Sequence, residues 1–94
     1  DEVWFQKAKI EIKLKKFELA AEYLEKILEE YPFDITADNA LFILADLNEN
    51  QFLNKEKALQ LYERILVEYP ASVFTIEARK RFRNLRGDFN NEGT

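Results

Sequence analysis

Two stretches of the chain, residues 20–47 and 58–85, align without a gap at a separation of 38 residues. The first reads AAEYLEKILEEYPFDITADNALFILADL and the second ALQLYERILVEYPASVFTIEARKRFRNL. Nine of the 28 aligned pairs are identical: Ala20/Ala58, Glu25/Glu63, Ile27/Ile65, Leu28/Leu66, Glu30/Glu68, Tyr31/Tyr69, Pro32/Pro70, Ala40/Ala78 and Leu47/Leu85. An internal period between roughly 20 and 50 residues marks stacked units, each of which buries its apolar face only on its neighbour. Such a stack presents surface, so the repeat points to interaction as the class of function and leaves the partner open.

Composition narrows this further. Ninety-four residues hold one domain at most, and 47% hydrophobic with 14% aromatic residues suffices for a packed interior. Cysteine and histidine are both absent. That removes disulfides, thiol nucleophiles, the commonest zinc ligands and the commonest general base. The net charge of −4 is uneven: residues 1–34 carry six cations against nine acids, residues 35–70 three against six, and residues 71–94 five against three. An acidic body argues against general nucleic-acid affinity, which comes mainly from neutralising phosphates. The longest apolar run, residues 40–45, falls far short of the ~20 residues that span a bilayer. The chain begins at Asp1 and not Met, which suggests a processed or excised piece whose targeting segment would be gone.

Periodicity predicts five helices and an all-α fold. The first, over 2–15, places Trp4, Ala8 and Ile12 at four-residue spacing with Phe5 beside them. Lys15-Lys16 marks a tight connection without glycine. The second, over 17–31, carries Ala20, Leu24, Ile27, Leu28 and Tyr31 on one stripe, with Glu22 and Lys26 at pairing distance, and ends at Pro32. The third begins after Asp34 or Thr36, both good N-caps, and runs to 48. Its segment 40–45 is apolar all round, so it should be covered on two sides. Asn48, Asn50 and Asn54 mark a polar loop. The fourth, over 55–69, repeats the stripe as Ala58, Tyr62, Ile65, Leu66 and Tyr69 before Pro70. The fifth, over 72–86, lines up Phe74, Ala78, Phe82, Leu85 and Phe89 opposite Arg79, Lys80, Arg81, Arg83 and Arg86, and is closed by Gly87 as a left-handed cap. One greasy and one charged face is what a terminal capping helix needs. Residues 1–89 thus form the repeat domain and 90–94 a polar tail.

The spacing Ala-x3-large-x2-apolar-x4-Pro occurs twice, as Ala20, Leu24, Ile27, Pro32 and as Ala58, Tyr62, Ile65, Pro70. It resembles the second helix of tetratricopeptide repeats, and Trp4 with Ala8 and Leu41 with Leu44 and Ala45 fit the first. The segment EARKRFRNLRGD, residues 77–88, is similar to the C-terminal end of long bacterial proteins of that family. The resemblance implies an α-α superhelix of two helical hairpins plus a C-terminal capping helix, without cofactor or catalytic role, docking a protein or peptide on a concave face. It also leans toward a bacterial periplasmic or cell-envelope setting, while the composition leaves the compartment open. The concave positions it implies are Phe5, Lys9, Ile12 and Lys13, then Phe42, Asp46 and Glu49. They do not reproduce the Lys, Asn and Arg set of the subgroup that clamps C-terminal carboxylates. Three departures stand out: no glycine at Lys15, Glu11 and Asn48 where the family has a first-helix tyrosine, and a period of 38 where 34 is usual.

Other features have simpler accounts. Lys9, Lys13 and Lys16 form a basic row that could meet an acidic partner, but a solvated helix face explains it without one. The cations of the last helix could grip a phosphate backbone, yet a solubilising cap needs fewer assumptions. Arg86-Gly87-Asp88 spells an adhesion tripeptide, but Gly87 is already required as a helix stop. Carboxylate pairs such as Glu29-Glu30 or Glu63 with Glu68 sit on exposed faces with no nucleophile-base pair or phosphate loop, so no catalytic and no metal site is expected. Trp4 and Phe5 would contact a preceding unit in a longer array; with none, they form an apolar end suited to self-association. The readings that remain are a protein-interaction scaffold, a purely structural cap of a longer solenoid, and a nucleic-acid module using the basic last helix.

Overall fold

The computed structural model describes residues 2–87. They form α1 (Glu2–Lys13), α2 (Phe17–Glu30), α3 (Ala37–Asn50), α4 (Lys55–Glu68) and α5 (Thr75–Arg86), with no strand among the described residues. Each helix packs chiefly on its neighbours in sequence. Side-chain contacts also link α3 with α5 and α2 with α4, which sets the helices in two rows, odd and even. This is the expected all-α architecture of paired hairpins and a last helix. Phe89, the tail 90–94 and Asp88 of the tripeptide lie outside the described residues.

Alanine makes the stacking tight. Ala8, Ala20, Ala37, Ala40, Ala45, Ala58 and Ala78 are all fully buried, so the helices approach without a side chain between them. Leu24, Ile27, Leu41, Leu44, Tyr62 and Ile65 fill the remaining space. The apolar stretch of α3 is covered from both sides as expected, by α2 and α4: Ala40, Leu41, Leu44 and Ala45 are buried, and Phe42 and Ile43 half-buried.

The boundaries differ from expectation for local reasons. α1 stops at Lys13 because Lys15 turns into the left-handed region at φ 61°. α3 runs on to Asn50, since Asn48 and Asn50 support the helix. Asn48 Nδ2 donates back to the Leu44 carbonyl at 2.9 Å, and Asn50 Nδ2 to Asp46 at 2.6 Å. Thr36 is the N-cap residue of α3 as expected, but its side chain makes no capping bond: the Thr36 amide and hydroxyl both donate to Asp34 Oδ1, at 2.9 and 3.0 Å, in a turn ahead of the helix. The Glu22–Lys26 pair does not form among the described residues, and Lys26 Nζ lies instead 5.3 Å from the centroid of the Trp4 ring. Gly87 is the left-handed cap, at φ 90°.

The two ends of the stack are unlike. Aligned at 38 residues, Leu41, Ala45 and Asn48 of α3, all buried, become the exposed arginines Arg79, Arg83 and Arg86 of α5. At the other end the connection 14–16 is one residue shorter than 51–54, so α1 aligns with α3 at 37 residues. Ala40 and Leu47, both buried, then match Val3 and Ile10, which are 59% and 54% exposed, with Leu14 (59%) a turn further on. Trp4 is partly covered by Tyr31, edge-on at 5.6 Å, and Phe5 is buried, so the exposed apolar row at this end is Val3, Ile10 and Leu14. Glu11, at the family's tyrosine position, leaves Oε1 buried without a hydrogen bond among the described residues.

Candidate protein-binding face

The odd-numbered helices carry every position singled out for binding. On α3, Phe42, Asp46 and Glu49 are spaced by four and three residues, which puts them on one face, and all three are half-buried. They converge on Arg81 of α5. Arg81 Nη1 donates to Asp46 Oδ1 at 2.8 Å and to the Tyr62 hydroxyl at 3.1 Å, and lies 3.8 Å from Glu49 Oε1. Its Nε donates to Glu77 at 3.0 Å, one turn back on its own helix. The guanidinium lies 5.1 Å from the Phe42 ring centroid, and Phe42 in turn stacks on Phe74 at 5.0 Å and meets Tyr62 edge-on at 5.9 Å. Tyr62 closes the circuit by donating to Glu49 Oε1 at 2.7 Å.

Electrostatics favour the neutral phenol of Tyr62 and the charged guanidinium of Arg81. Burial, aided by the bond to Glu49, pushes the Tyr62 phenol above its ordinary value. Burial works against the charge on Arg81, but the hydrogen bonds to Tyr62, Glu77 and Asp46 outweigh it and hold the guanidinium charged. Three carboxylates face one guanidinium here. Beside them Glu49, Glu77, Lys80, Arg81 and Asn84 line an open cavity of about 480 Å³.

This corrects one expectation. Arg81 was grouped with Arg79, Lys80, Arg83 and Arg86 on an outward charged face, but it turns inward and fastens α5 to α3 and α4. Sequence reasoning also passed over Tyr62 and Glu77 as members of a site. A usable signal existed in the aligned pairs that differ: Leu24 becomes Tyr62 and Ile43 becomes Arg81, so a hydroxyl and a cation enter the second unit together.

In the first unit the matching positions behave differently. Phe5 is buried, Ile12 half-buried, and Lys9 and Lys13 are exposed, with Lys9 Nζ 5.2 Å from the Phe5 ring centroid. Lys9 stands where Asp46 stands in the second unit and Ile12 where Glu49 stands. The geometry joins Phe42, Asp46 and Glu49 in one cluster; the α1 residues are not part of it.

The sequence matches the profile of the tetratricopeptide repeat twice, over residues 2–34 and 39–72, which together cover more than half of the chain. The chain belongs to the tetratricopeptide repeat family. The two matches begin 37 residues apart and end 38 apart, as the one-residue difference between the α1–α2 and α3–α4 connections requires. No curated protein and no solved structure matches the chain. Tetratricopeptide repeats are in general protein–protein interaction modules and typically non-catalytic. No helix among the described residues is long and apolar enough to cross a membrane.

Proposed function

We propose that this chain is a non-catalytic scaffold that binds a protein or peptide on a concave face formed by α1, α3 and α5. The double match to the tetratricopeptide repeat carries this reading. The distribution of charge refines it. Exposed Lys9 and Lys13 make α1 the basic side of the face, while Asp46, Glu49 and Glu77 around Arg81 make the α3–α5 side rich in carboxylates. A bound segment would lay acidic side chains over α1 and polar or cationic ones over α3 and α5. Phe42 supplies a half-buried aromatic floor, and Phe5 supports the face from below. Selection from a displayed peptide library, followed by mapping of amide shifts, tests the reading. Binders that perturb α1, α3 and α5 and are lost on Lys9→Glu with Lys13→Glu support it; binders that map only to α2 and α4 refute it.

A purely structural reading, closure of the C-terminal end of a longer array, draws on the contrast between the two ends. Arginines occupy the outward positions of α5, whereas the outward row of α1 and the turn after it keeps Val3, Ile10 and Leu14. In that case self-association of the isolated piece would run through this row, with Trp4 and Phe5 packed behind it. Sedimentation decides: a monomer up to high concentration removes that contact from consideration. The pairing of Arg81 with Asp46, Glu49 and Glu77 leaves the nucleic-acid reading with one cation fewer.

A further inference from the structure

Where α2 and α4 end, the two inter-hairpin connections, residues 31–36 and 69–74, run side by side and, with Asp38 at the start of α3, line a groove of about 800 Å³. They are pinned to each other. Tyr69 donates its hydroxyl to the Pro32 carbonyl at 2.6 Å, and Ser72 Oγ donates to Asp38 Oδ2 at 2.6 Å. Each connection is also braced internally, by the Asp34–Thr36 turn and by the Phe74 amide donating to Ser72 Oγ at 3.0 Å. The groove therefore exists before anything binds in it.

Its lining has two components. Pro32, Phe33, Ile35, Pro70 and Ala71 are apolar, and Phe33 and Ile35 are 97% and 89% exposed. An aromatic ring left that far in water on a braced turn adds nothing to the core, and adjoining apolar residues of this kind mark contact surfaces. The charged lining groups are Asp34, Asp38 and Glu68, all acidic. Asp34 is held below the usual carboxylate range by the Thr36 amide and hydroxyl, so it stays ionised. Glu68 is paired with Arg64 at 3.2 Å, from the preceding turn of α4, with both side chains well exposed to water. An anionic lipid surface would be repelled by such a rim, whereas a cationic peptide would be drawn to it.

We propose that this groove is a second docking surface, independent of the concave face, which takes a short apolar segment bearing lysine or arginine from a partner protein. The apolar side chains of the segment cover Phe33 and Ile35, and its cations pair with Asp34, Asp38 and Glu68. The volume lies within the roughly 300–1,000 Å³ of ordinary binding clefts, room for a few side chains and not for a domain.

The test is a titration of the isotope-labelled chain, followed by amide shifts, with a synthetic peptide of about ten residues alternating lysine with leucine. A counterpart with glutamate in place of lysine serves as control. The lysine peptide is expected to shift residues 33–38 and 68–73, to weaken as salt is raised, and to outbind the glutamate peptide. Phe33→Ser with Ile35→Ser, both on exposed side chains, should weaken binding about tenfold or more without changing the melting temperature. Equal binding of both peptides, shifts centred on Lys9, Asp46 and Arg81, or no shifts at about 1 mM peptide would each overturn the assignment. Because the readout is residue-specific, loss of this surface and loss of the concave face are told apart.

Discussion

Lys15 and Leu53 occupy matching points of the two hairpins, and both stand in the left-handed region, at φ 61° and 55°. A non-glycine residue there costs about 1–2 kcal/mol, while glycine adds about 0.5–1 kcal/mol of unfolded-state entropy. Both side chains are exposed, so little packing is at stake. Lys15→Gly and Leu53→Gly should therefore each stabilise by about 0.5–1 kcal/mol, read from urea midpoints at constant slope. A lower midpoint would show that these side chains contribute contacts in the turn. Tyr62 offers a test by pH. Its folded pKa is raised above 10.0 by burial and by Glu49, so the neutral phenol is the form the fold prefers. That contribution is fully present below pH 10 and is lost as pH rises through 10 toward the higher folded value. Tyr62→Phe should lose about 1 kcal/mol near neutrality through its missing hydrogen bonds, yet decline less steeply between about pH 9.5 and 11.5. A variant that declines as steeply as the parent would place the titrating group elsewhere.

Between elements, the buried alanines set how closely the helices pack. Ala20→Leu or Ala58→Leu should cost about 1–3 kcal/mol by overpacking a close contact, and a variant that melts like the parent would contradict the pairing of α2 and α4 with their neighbours. The fifth helix separates two kinds of arginine. Arg81 joins α5 to α3 and α4 through two carboxylates, Asp46 and Glu49, with the Tyr62 phenol and the Phe42 ring, and its side chain is 30% exposed. Arg81→Ala should cost about 1–2 kcal/mol once partial exposure is allowed for. Arg79→Ala, on the exposed side, should change stability by no more than about 0.5 kcal/mol. Similar losses from both would mean that Arg81 contributes no more than a surface charge.

Across the molecule, the polar row of α1 can be altered without touching the stack. Charge reversal at Lys9 with Lys13 should leave the thermal melt within about 0.5 kcal/mol of the parent, since both side chains are exposed and, among the described residues, no ion pair of theirs holds helices together. A large loss would mean that the row is covered in solution and therefore unavailable to a partner. The contrast between the ends belongs to this level too. α5 presents arginine where α3 presents Leu41 and Ala45, so a helix packed on α5 as α4 packs on α3 would have to bury charge there. α1 and the turn after it still present Val3, Ile10 and Leu14.

The repeat, the apolar stripes and the helix-breaking Pro32 and Pro70 were legible because each depends only on spacing along the chain: periodicity selects the helix, proline interrupts it, and identical stripes must meet identical neighbours. The seven proposed binding residues were legible only as positions on a face. Whether Phe5 lies beneath that face or on it, and whether Arg81 points to water or to Asp46, depends on which side chains fill the gap between α3, α4 and α5. The same holds for the groove beneath Phe33 and Ile35. It exists because Tyr69 reaches a carbonyl 37 positions away, a contact set by the stacking of hairpins and by nothing in the local sequence of either turn.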